Sequence, residues 1–176
     1  MYTNEYIEQL KQLHGNVKKK KGFGGKMKDL GKFNFFIEQW NPKTVLDYGC
    51  GKGVILANLK EQYLNVSFFG YDPAVSMFSN LDYKKYDCIF SNDVLEHIEP
   101  DYIDDVLLHI LSLSNKYIWL RIDTKPARKT LPDGRNAHLI QELPEWWTSK
   151  ISKLISPNLT YINLNENNRI DVAIEL

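Results

Sequence analysis

The nine residues from Val45 to Gly53, VLDYGCGKG, constrain the fold of this chain more than any other stretch. An apolar run ends at an aspartate, and three glycines then alternate with other residues. This pattern predicts a buried strand, a tight turn and the start of a helix. Because glycine has no Cβ, the main chain can turn sharply there and approach a ligand closely. The turn is a candidate cofactor cradle, and the simpler alternative is a purely structural turn.

Apolar periodicity predicts alternating helices and strands around this turn. Helices are predicted over residues 3–14, 28–40, 54–64, 100–111 and 144–155, and further strands over residues 66–71, 86–91, 116–122, 159–164 and 169–176. The alternation indicates an α/β fold with a doubly wound, mostly parallel sheet. The last two strands are predicted to form an antiparallel hairpin. Residues 74–85 show neither a convincing strand nor a complete helix.

Three sequence boxes together resemble those of a known enzyme family. The order D-x-G-x-G-x-G differs from the dinucleotide fingerprint G-x-G-x-x-G and resembles motif I of class I S-adenosylmethionine-dependent methyltransferases. Asp72 ends a predicted strand about twenty residues past the glycine turn, where an acidic residue can accept both vicinal ribose hydroxyls. The segment Asn92–His97 is similar to the D-x-L-E-H box that follows the fourth strand of small-molecule members. The resemblance covers roughly residues 43–123.

This resemblance implies a Rossmann-like methyltransferase fold with S-adenosyl-L-methionine as cofactor, a shortened third-strand edge and a C-terminal antiparallel hairpin. Met77, Phe78 and Leu81 become candidates for the adenine slot, although such residues are more often plain core. The residues expected to bind the cofactor are Asp47, Tyr48, Gly49, Cys50, Gly51, Gly53, Asp72, Pro73, Asn92 and Asp93.

The loop after the strand at 116–122 is the candidate acceptor site. It is rich in basic residues and proline, and it leaves a strand end that should face the cofactor; a surface connector is the alternative. His138 is predicted to remove a proton from the acceptor, with Asp93 or His97 as other candidate bases. His138 could also serve only to bond the loop backbone, and His97 only to cap its motif. The residues expected to bind the acceptor are Phe23, Arg121, Lys125, Arg128, Arg135 and His138.

The segment from residue 15 to residue 27 is glycine-rich and carries four consecutive lysines. It is too polar to form core, so a solvated loop is the simplest interpretation. The sharper hypothesis is a lid that orders over bound ligands, with Phe23 as its apolar contact.

Composition narrows the function further. The 176 residues fit one domain over 1–176, in which residues 1–42 supply helices and a lid, 43–123 the cofactor core, and 124–176 the acceptor loop, helix and hairpin. A formal net charge of +0 gives no global attraction to nucleic acid or membranes. The two cysteines suggest buried side chains rather than a disulfide or a metal site, so no metal is expected. Without a signal-like start or a long apolar run, a cytoplasmic location is expected.

The sequence thus predicts an S-adenosylmethionine-dependent methyltransferase that acts on a polar small molecule. The basic loop and its histidine favour O-methylation of a hydroxylated, sugar-like or phosphorylated acceptor. A nucleic-acid methyltransferase is an alternative, but Ser91–Val94 replaces the Asn/Asp-Pro-Pro-Tyr/Phe box of amino-methylating DNA enzymes, so nucleic acid is not the expected partner. The other alternative is a non-catalytic module that binds the cofactor. No pattern predicts an oligomeric state.

Overall fold

A single mixed sheet with helices on both faces forms the described part of the chain, residues 2–15, 30–155, 159–165 and 168–176 of a computed structural model. The helices are α1 (Asn4–Gly15), α2 (Gly31–Trp40), α3 (Val54–Gln62), α4 (Ile103–Leu113) and α5 (Pro144–Leu154). The strands are β1 (Thr44–Tyr48), β2 (Ser67–Tyr71), β3 (Tyr86–Asn92), β4 (Ser114–Asp123), β5 (Leu159–Asn165) and β6 (Arg169–Glu175). Each lies close to its predicted position.

The strand order is β2-β1-β3-β4-β6-β5. The pairs among β2, β1, β3 and β4 are parallel, whereas β6 runs antiparallel to both β4 and β5. The predicted doubly wound, mostly parallel sheet with a terminal antiparallel hairpin is therefore confirmed. Because the four parallel strands end at the same edge, the residues that follow β1, β2, β3 and β4 come together there.

Side chains that alternate along each strand build a hydrophobic core on each face of the sheet. In β4, Ile118, Leu120 and Ile122 face α4 and α5, whereas Trp119 lies on the opposite side. Helix α4 buries Val106, Leu107 and Ile110 against the first face, at the spacing of an amphipathic helix. Helix α2 buries Phe33, Phe36 and Ile37 against the second. Its end is fixed by Asn41 in the left-handed conformation, followed by Pro42.

The edge of the sheet next to β2 is short, as predicted. Residues 72–85, all of them described, contain only a 3-10 turn at Ser76–Phe78. This turn brings the Phe78 ring against the glycine turn, where a Cβ on Gly53 would lie 2.8 Å from it. Met77 is 83% exposed, so Phe78 is the better placed of the two candidates for a contact in the cofactor cleft.

Helix α1 packs over the carboxyl edge of the parallel strands. Tyr6 is buried with Leu131 and Ala137 of the loop that follows β4, and its hydroxyl donates to the carbonyl of His97. The side chain of Gln9 donates to Asp133 at 2.9 Å. The loop after β4 is thereby held against α1 rather than projecting into solvent.

Within the described residues, no helix is long and apolar enough to cross a membrane. The proposed lid lies outside the described residues except for Gly15, which ends α1.

Candidate active site

The turn between β1 and α3 requires its glycines. Gly49, Gly51 and Gly53 have φ values of 81°, 54° and 73°, a region that residues with a Cβ rarely adopt. A Cβ on Gly49 would lie 2.5 Å from the side chain of Val94. The backbone N–H groups of Gly49 and Cys50 donate to the Tyr71 carbonyl at 2.7 and 3.1 Å. The turn is therefore fixed to the end of β2 and packs tightly against the box that follows β3.

Asp72 lies directly beside this turn. Its Oδ2 accepts a hydrogen bond from the Gly51 N–H at 2.9 Å, and its Oδ1 accepts one from the Ala74 N–H at 2.9 Å. Each carboxylate oxygen retains a second lone pair that can accept a further donor, such as a ribose hydroxyl. A cavity of about 380 Å³ opens beside the following residue, Pro73.

Asp47 is a buried carboxyl at the end of β1. It is only 3% exposed, and desolvation, reinforced by the negative charge of Asp72, raises its pKa to about 8. The carboxyl is therefore largely protonated at neutral pH until a cationic group stabilises its charge. A ligand that carries an ammonium or sulfonium group would supply that stabilisation.

The neighbours of Asp47 and Gly49 in the turn have different surroundings. The Tyr48 side chain lies on the α4 side of the sheet, where its hydroxyl bonds His109 Nδ1 at 2.9 Å, so only its backbone faces the turn. Cys88 is fully buried as expected, but Cys50 is only half-buried, and its sulfur lies beside Gly70 of β2. Burial nevertheless raises the pKa of the Cys50 thiol.

Asn92 and Asp93 follow β3, at the same edge of the sheet. Asn92 Oδ1 is buried and accepts no hydrogen bond from the described residues, so it is an acceptor available to a ligand. Asp93 has a φ of 54°, and its N–H donates to the Arg121 carbonyl at 2.9 Å. Its Oδ2 lies 3.5 Å from Arg169 Nη2, and Arg169 Nε lies 3.3 Å from Asp123 Oδ2. Arg169 thus links the ends of β3 and β4, a role that its place in the hairpin did not predict.

Glu96, His97 and His138 converge beside that edge. The two imidazole rings are 4.7 Å apart and packed edge to face. His97 Nδ1 lies 2.6 Å from the Ala137 carbonyl, and His138 Nδ1 lies 2.5 Å from the Lys125 carbonyl. Since a carbonyl oxygen only accepts, both Nδ1 atoms carry a proton and both Nε2 atoms present a lone pair when the rings are neutral.

Glu96 is fully buried, and its Oε1 accepts a hydrogen bond from the Asp123 N–H at 3.0 Å. In the sequence, Glu96 stands out only as part of the box after β3, and no role was predicted for it. The signal that could have singled it out is an acidic residue next to a histidine at a strand end, where ligands bind in such sheets.

The basic residues of the loop after β4 have separate environments. Lys125 and Arg128 are exposed at the surface, and Arg135 pairs with Asp133 at 2.7 Å. Asn136 braces the loop, because its side-chain amide exchanges two hydrogen bonds of 2.9 Å with the backbone of Ala127. The loop is therefore held in shape by its own hydrogen bonds.

Arg121, expected near the acceptor, lies within the sheet. It is 6% exposed, and its guanidinium donates to both carboxylate oxygens of Asp171, at 2.6 and 3.2 Å. Antiparallel register places these two residues directly opposite each other on β4 and β6. Phe23 lies outside the described residues.

A cluster of basic groups borders the glycine turn. Partial burial and the like charge of Lys52 lower the pKa of Lys129, so the two side chains lie within electrostatic reach of each other. Burial and the positive charges of both lysines lower the pKa of His14 at the end of α1, against the opposing charge of Asp72, so the neutral imidazole is favoured. This basic cluster, Lys52 and Lys129, would attract an anionic group to the glycine turn.

Together these residues fit S-adenosylmethionine. The glycines let the turn pack against Val94 and Phe78, Asp72 can accept ribose hydroxyls, Asp47 can meet a positive charge, and Asn92 offers a buried acceptor. This fold and site define the class of the protein: it is an S-adenosylmethionine-dependent methyltransferase.

Comparison with protein families also identifies a methyltransferase. A family described as a methyltransferase domain matches residues 20–161, and the chain belongs to this family. A sequence comparison with curated proteins finds no match.

Solved structures of methyltransferases share the Rossmann-like fold. One is a 1,6-didemethyltoxoflavin-N1-methyltransferase from Burkholderia thailandensis, solved with 1,6-didemethyltoxoflavin and S-adenosylhomocysteine bound. Its sequence is 14% identical to this chain, and the two structures align with a TM-score of 0.66 over 99% of this chain and 90% of that one. A Nostoc punctiforme protein described as an O-methyltransferase is 14% identical in sequence to this chain, and its structure aligns with a TM-score of 0.60 over 82% of this chain. A chain of the Pnkp1/Rnl/Hen1 RNA repair complex is 16% identical with a TM-score of 0.59, over 100% of this chain.

This chain spans 55% of the length of the Nostoc protein and 49% of the RNA repair chain. At these identities the likeness shows the fold alone.

Proposed function

We propose that this methyltransferase transfers its methyl group to a hydroxyl of a polar, anionic small molecule. The observation that carries the proposal is the tautomeric state of His97 and His138. Backbone carbonyls fix the proton on Nδ1 of each ring, so Nε2 of each neutral ring carries the lone pair, at the carboxyl edge of the sheet. A carboxylate or a neutral amine needs no such group to become a nucleophile, whereas an alcohol must lose its proton.

S-adenosylmethionine would supply, when bound, a methyl group activated by its sulfonium: an O–C bond to the acceptor would form as the C–S bond breaks, and S-adenosylhomocysteine would leave. The residues proposed to hold it are Asp47, Gly49, Gly51, Gly53, Asp72 and Asn92. His138 is proposed to accept the proton of the acceptor hydroxyl on its Nε2 atom. Asp93, held between Arg169 and the backbone of β4, is proposed to orient that hydroxyl.

The basic cluster supports the anionic character of the acceptor. Burial and, second, repulsion from Lys52 lower the pKa of Lys129, and an anion between the two lysines would relieve that repulsion. Lys125 and Arg128 are exposed on the braced loop and can extend the same positive surface. A phosphorylated or acidic sugar combines the two required features, a hydroxyl and a negative charge.

The test is to incubate the protein with S-adenosylmethionine that carries an isotope-labelled methyl group and with pools of sugar phosphates, neutral sugars, amines and RNA oligonucleotides. Label on oxygen in the sugar phosphate pool, identified by NMR of the product, is the expected result. Label only on nitrogen, or only in RNA, would contradict the proposed acceptor class.

Two lysine variants refine the test. Lys129→Ala should raise KM for the anionic acceptor about tenfold with little change in kcat, because a charge contact of this kind contributes to binding throughout the reaction. Lys116→Ala removes an exposed lysine at the start of β4 and should leave KM unchanged.

A further inference from the structure

We infer that Glu96, His97 and His138 form a binding site for a divalent transition-metal ion. The three residues each offer one ligand atom, and these atoms lie within 4.8 Å of one another. Glu96 and His138 are buried and His97 is half-buried, so the ion would be largely shielded from solvent. The sequence did not predict this site, because residue 138 lies far along the chain from the other two.

The histidines are already oriented as metal ligands usually are. In metal sites, the ring nitrogen that does not bind the ion generally donates its N–H to a carbonyl or carboxylate, which fixes the tautomer and the ring orientation. Here the Ala137 and Lys125 carbonyls hold the two Nδ1 protons, at 2.6 and 2.5 Å. Nε2 is therefore the nitrogen of each ring that would coordinate an ion.

Hydrogen bonds to the surrounding chain hold all three residues. Glu96 is held through Oε1 by the Asp123 N–H, and its own carbonyl accepts a hydrogen bond from the Ile140 N–H at 3.0 Å. The Asn136 side chain accepts a hydrogen bond from the His138 N–H at 2.9 Å. The Tyr6 hydroxyl fixes the His97 carbonyl from α1. The three ligands therefore belong to one framework that joins the box after β3, the loop after β4 and helix α1.

The ligand set indicates the kind of ion. Two imidazoles and one carboxylate suit Zn²⁺, Mn²⁺ or Fe²⁺ better than Mg²⁺, which prefers oxygen ligands and retains several waters. Three protein ligands leave at least one coordination position open, which is the arrangement of catalytic rather than structural sites.

The consequence for catalysis rests on the proposed function. An acceptor hydroxyl that occupies the open position would have its pKa lowered by the ion and would lose its proton more easily at neutral pH. With the ion bound, the His138 Nε2 lone pair would coordinate the ion instead of accepting the proton, and the proton of the metal-bound hydroxyl would pass to solvent.

The test uses the whole protein, first stripped of metal by a chelator and then titrated with Mn²⁺ without methyl donor or acceptor. Electron paramagnetic resonance follows the loss of free Mn²⁺, and calorimetry with Zn²⁺ gives a second measurement. The wild-type protein should bind a single ion of each kind, and Mg²⁺ at the same concentration should not displace Mn²⁺. Glu96→Gln, His97→Gln and His138→Gln should each weaken binding about tenfold or more.

His109→Gln is the matched control, because His109 is a partly buried histidine on α4 that bonds Tyr48 and lies outside the cluster. Affinity for S-adenosylhomocysteine shows whether each variant is folded, and if His138→Gln fails this check, Glu96→Gln and His97→Gln decide. A wild-type protein that binds neither Mn²⁺ nor Zn²⁺, or binding that the folded ligand variants leave unchanged, would overturn the inference.

The metal-binding experiment and the test of the proposed function can fail independently of each other. A protein that binds Mn²⁺ through these residues but methylates no hydroxyl retains the site and loses the proposed function. Methylation of a hydroxyl at full rate in excess chelator would retain the function and remove the ion from its mechanism.

Discussion

Asp72 Oδ2 accepts a hydrogen bond from the Gly51 N–H at 2.9 Å, which joins the acidic residue after β2 to the middle of the glycine turn. The other carboxylate oxygen accepts from Ala74. The residue proposed to hold the cofactor's ribose therefore also shapes the turn on which the cofactor would lie. This double role separates Asp72 from an aspartate that only forms a turn before a proline.

Asp72→Ala should weaken the binding of S-adenosylhomocysteine by about 2–3 kcal/mol, or roughly a hundredfold, because charge-assisted hydrogen bonds to the ligand and to the turn are lost together. The melting temperature of the free protein should also fall, since two buried N–H groups lose their acceptor. Calorimetry and thermal unfolding measure the two effects. Asp101→Asn, at an exposed site before α4, is the control, and unchanged calorimetric affinity of Asp72→Ala would remove the ribose assignment.

The buried carboxyl of Asp47 should make the stability of the free protein depend on pH. Its folded pKa of about 8 lies above the ordinary aspartate value of 3.8, so the folded state binds more protons than the unfolded state between these pH values. The free energy of unfolding should therefore fall as pH rises from about 4 to about 8, by at most about 1.4 kcal/mol per pH unit from this group.

Asp47→Asn should flatten that part of the profile and stabilise the free protein at pH 8. It should also weaken the binding of a cationic cofactor, because the amide cannot become negatively charged. Urea unfolding across this pH range measures the first effect and calorimetry the second. An identical pH slope in wild type and variant would contradict the raised pKa.

Gly49→Ala should destabilise the protein through backbone strain and through a clash. A positive φ costs a residue with a Cβ about 1–3 kcal/mol, and the new Cβ would lie 2.5 Å from Val94. Gly134→Ala is the matched control, because Gly134 has a φ of 91° and a Cβ added there would meet no atom within 4 Å. Gly49→Ala should thus cost more stability than Gly134→Ala in urea unfolding.

Shortening Val94 to alanine should recover part of the difference between these two glycine variants. If Gly49→Ala and Gly134→Ala destabilise equally, the close contact between the glycine turn and Val94 does not constrain the turn.

Arg121→Met should lower stability by about 3–5 kcal/mol, because it leaves the Asp171 carboxylate, which is 1% exposed, without its bidentate partner. The double variant Arg121→Met with Asp171→Leu should recover much of this loss, since no charge of this pair then remains buried. Chemical unfolding of the single and double variants measures the coupling. If Arg121→Met keeps full stability but loses acceptor binding, Arg121 serves the acceptor, as its place in the sequence predicts.

Local patterns predicted the parts of the fold and site that depend on short stretches of chain. The strand, turn and helix around Gly49, the acidic residue at 72 and the polar pair at 92 and 93 each follow from a run of neighbouring residues. The missing strand between residues 74 and 85 followed from the absence of periodicity there.

Contacts that depend on register or on loop conformation could not be predicted in this way. Arg121 faces Asp171 only because β6 pairs with β4 in one particular antiparallel register. Glu96 and His138 meet because the loop after β4 is braced by Asn136 and covered by α1. Such contacts are set by tertiary packing, so a spacing rule along the chain does not find them.

A crystal structure of the protein with S-adenosylhomocysteine would test the cofactor cradle and the acceptor side of the cleft together. The ribose hydroxyls should bond Asp72, the ligand should cross the main chain at Gly49 and Gly51, and the sulfur should face the side of the cleft that holds Asp93 and His138. A ligand seated away from the glycine turn, or with its sulfur directed away from His138, would contradict the proposed site.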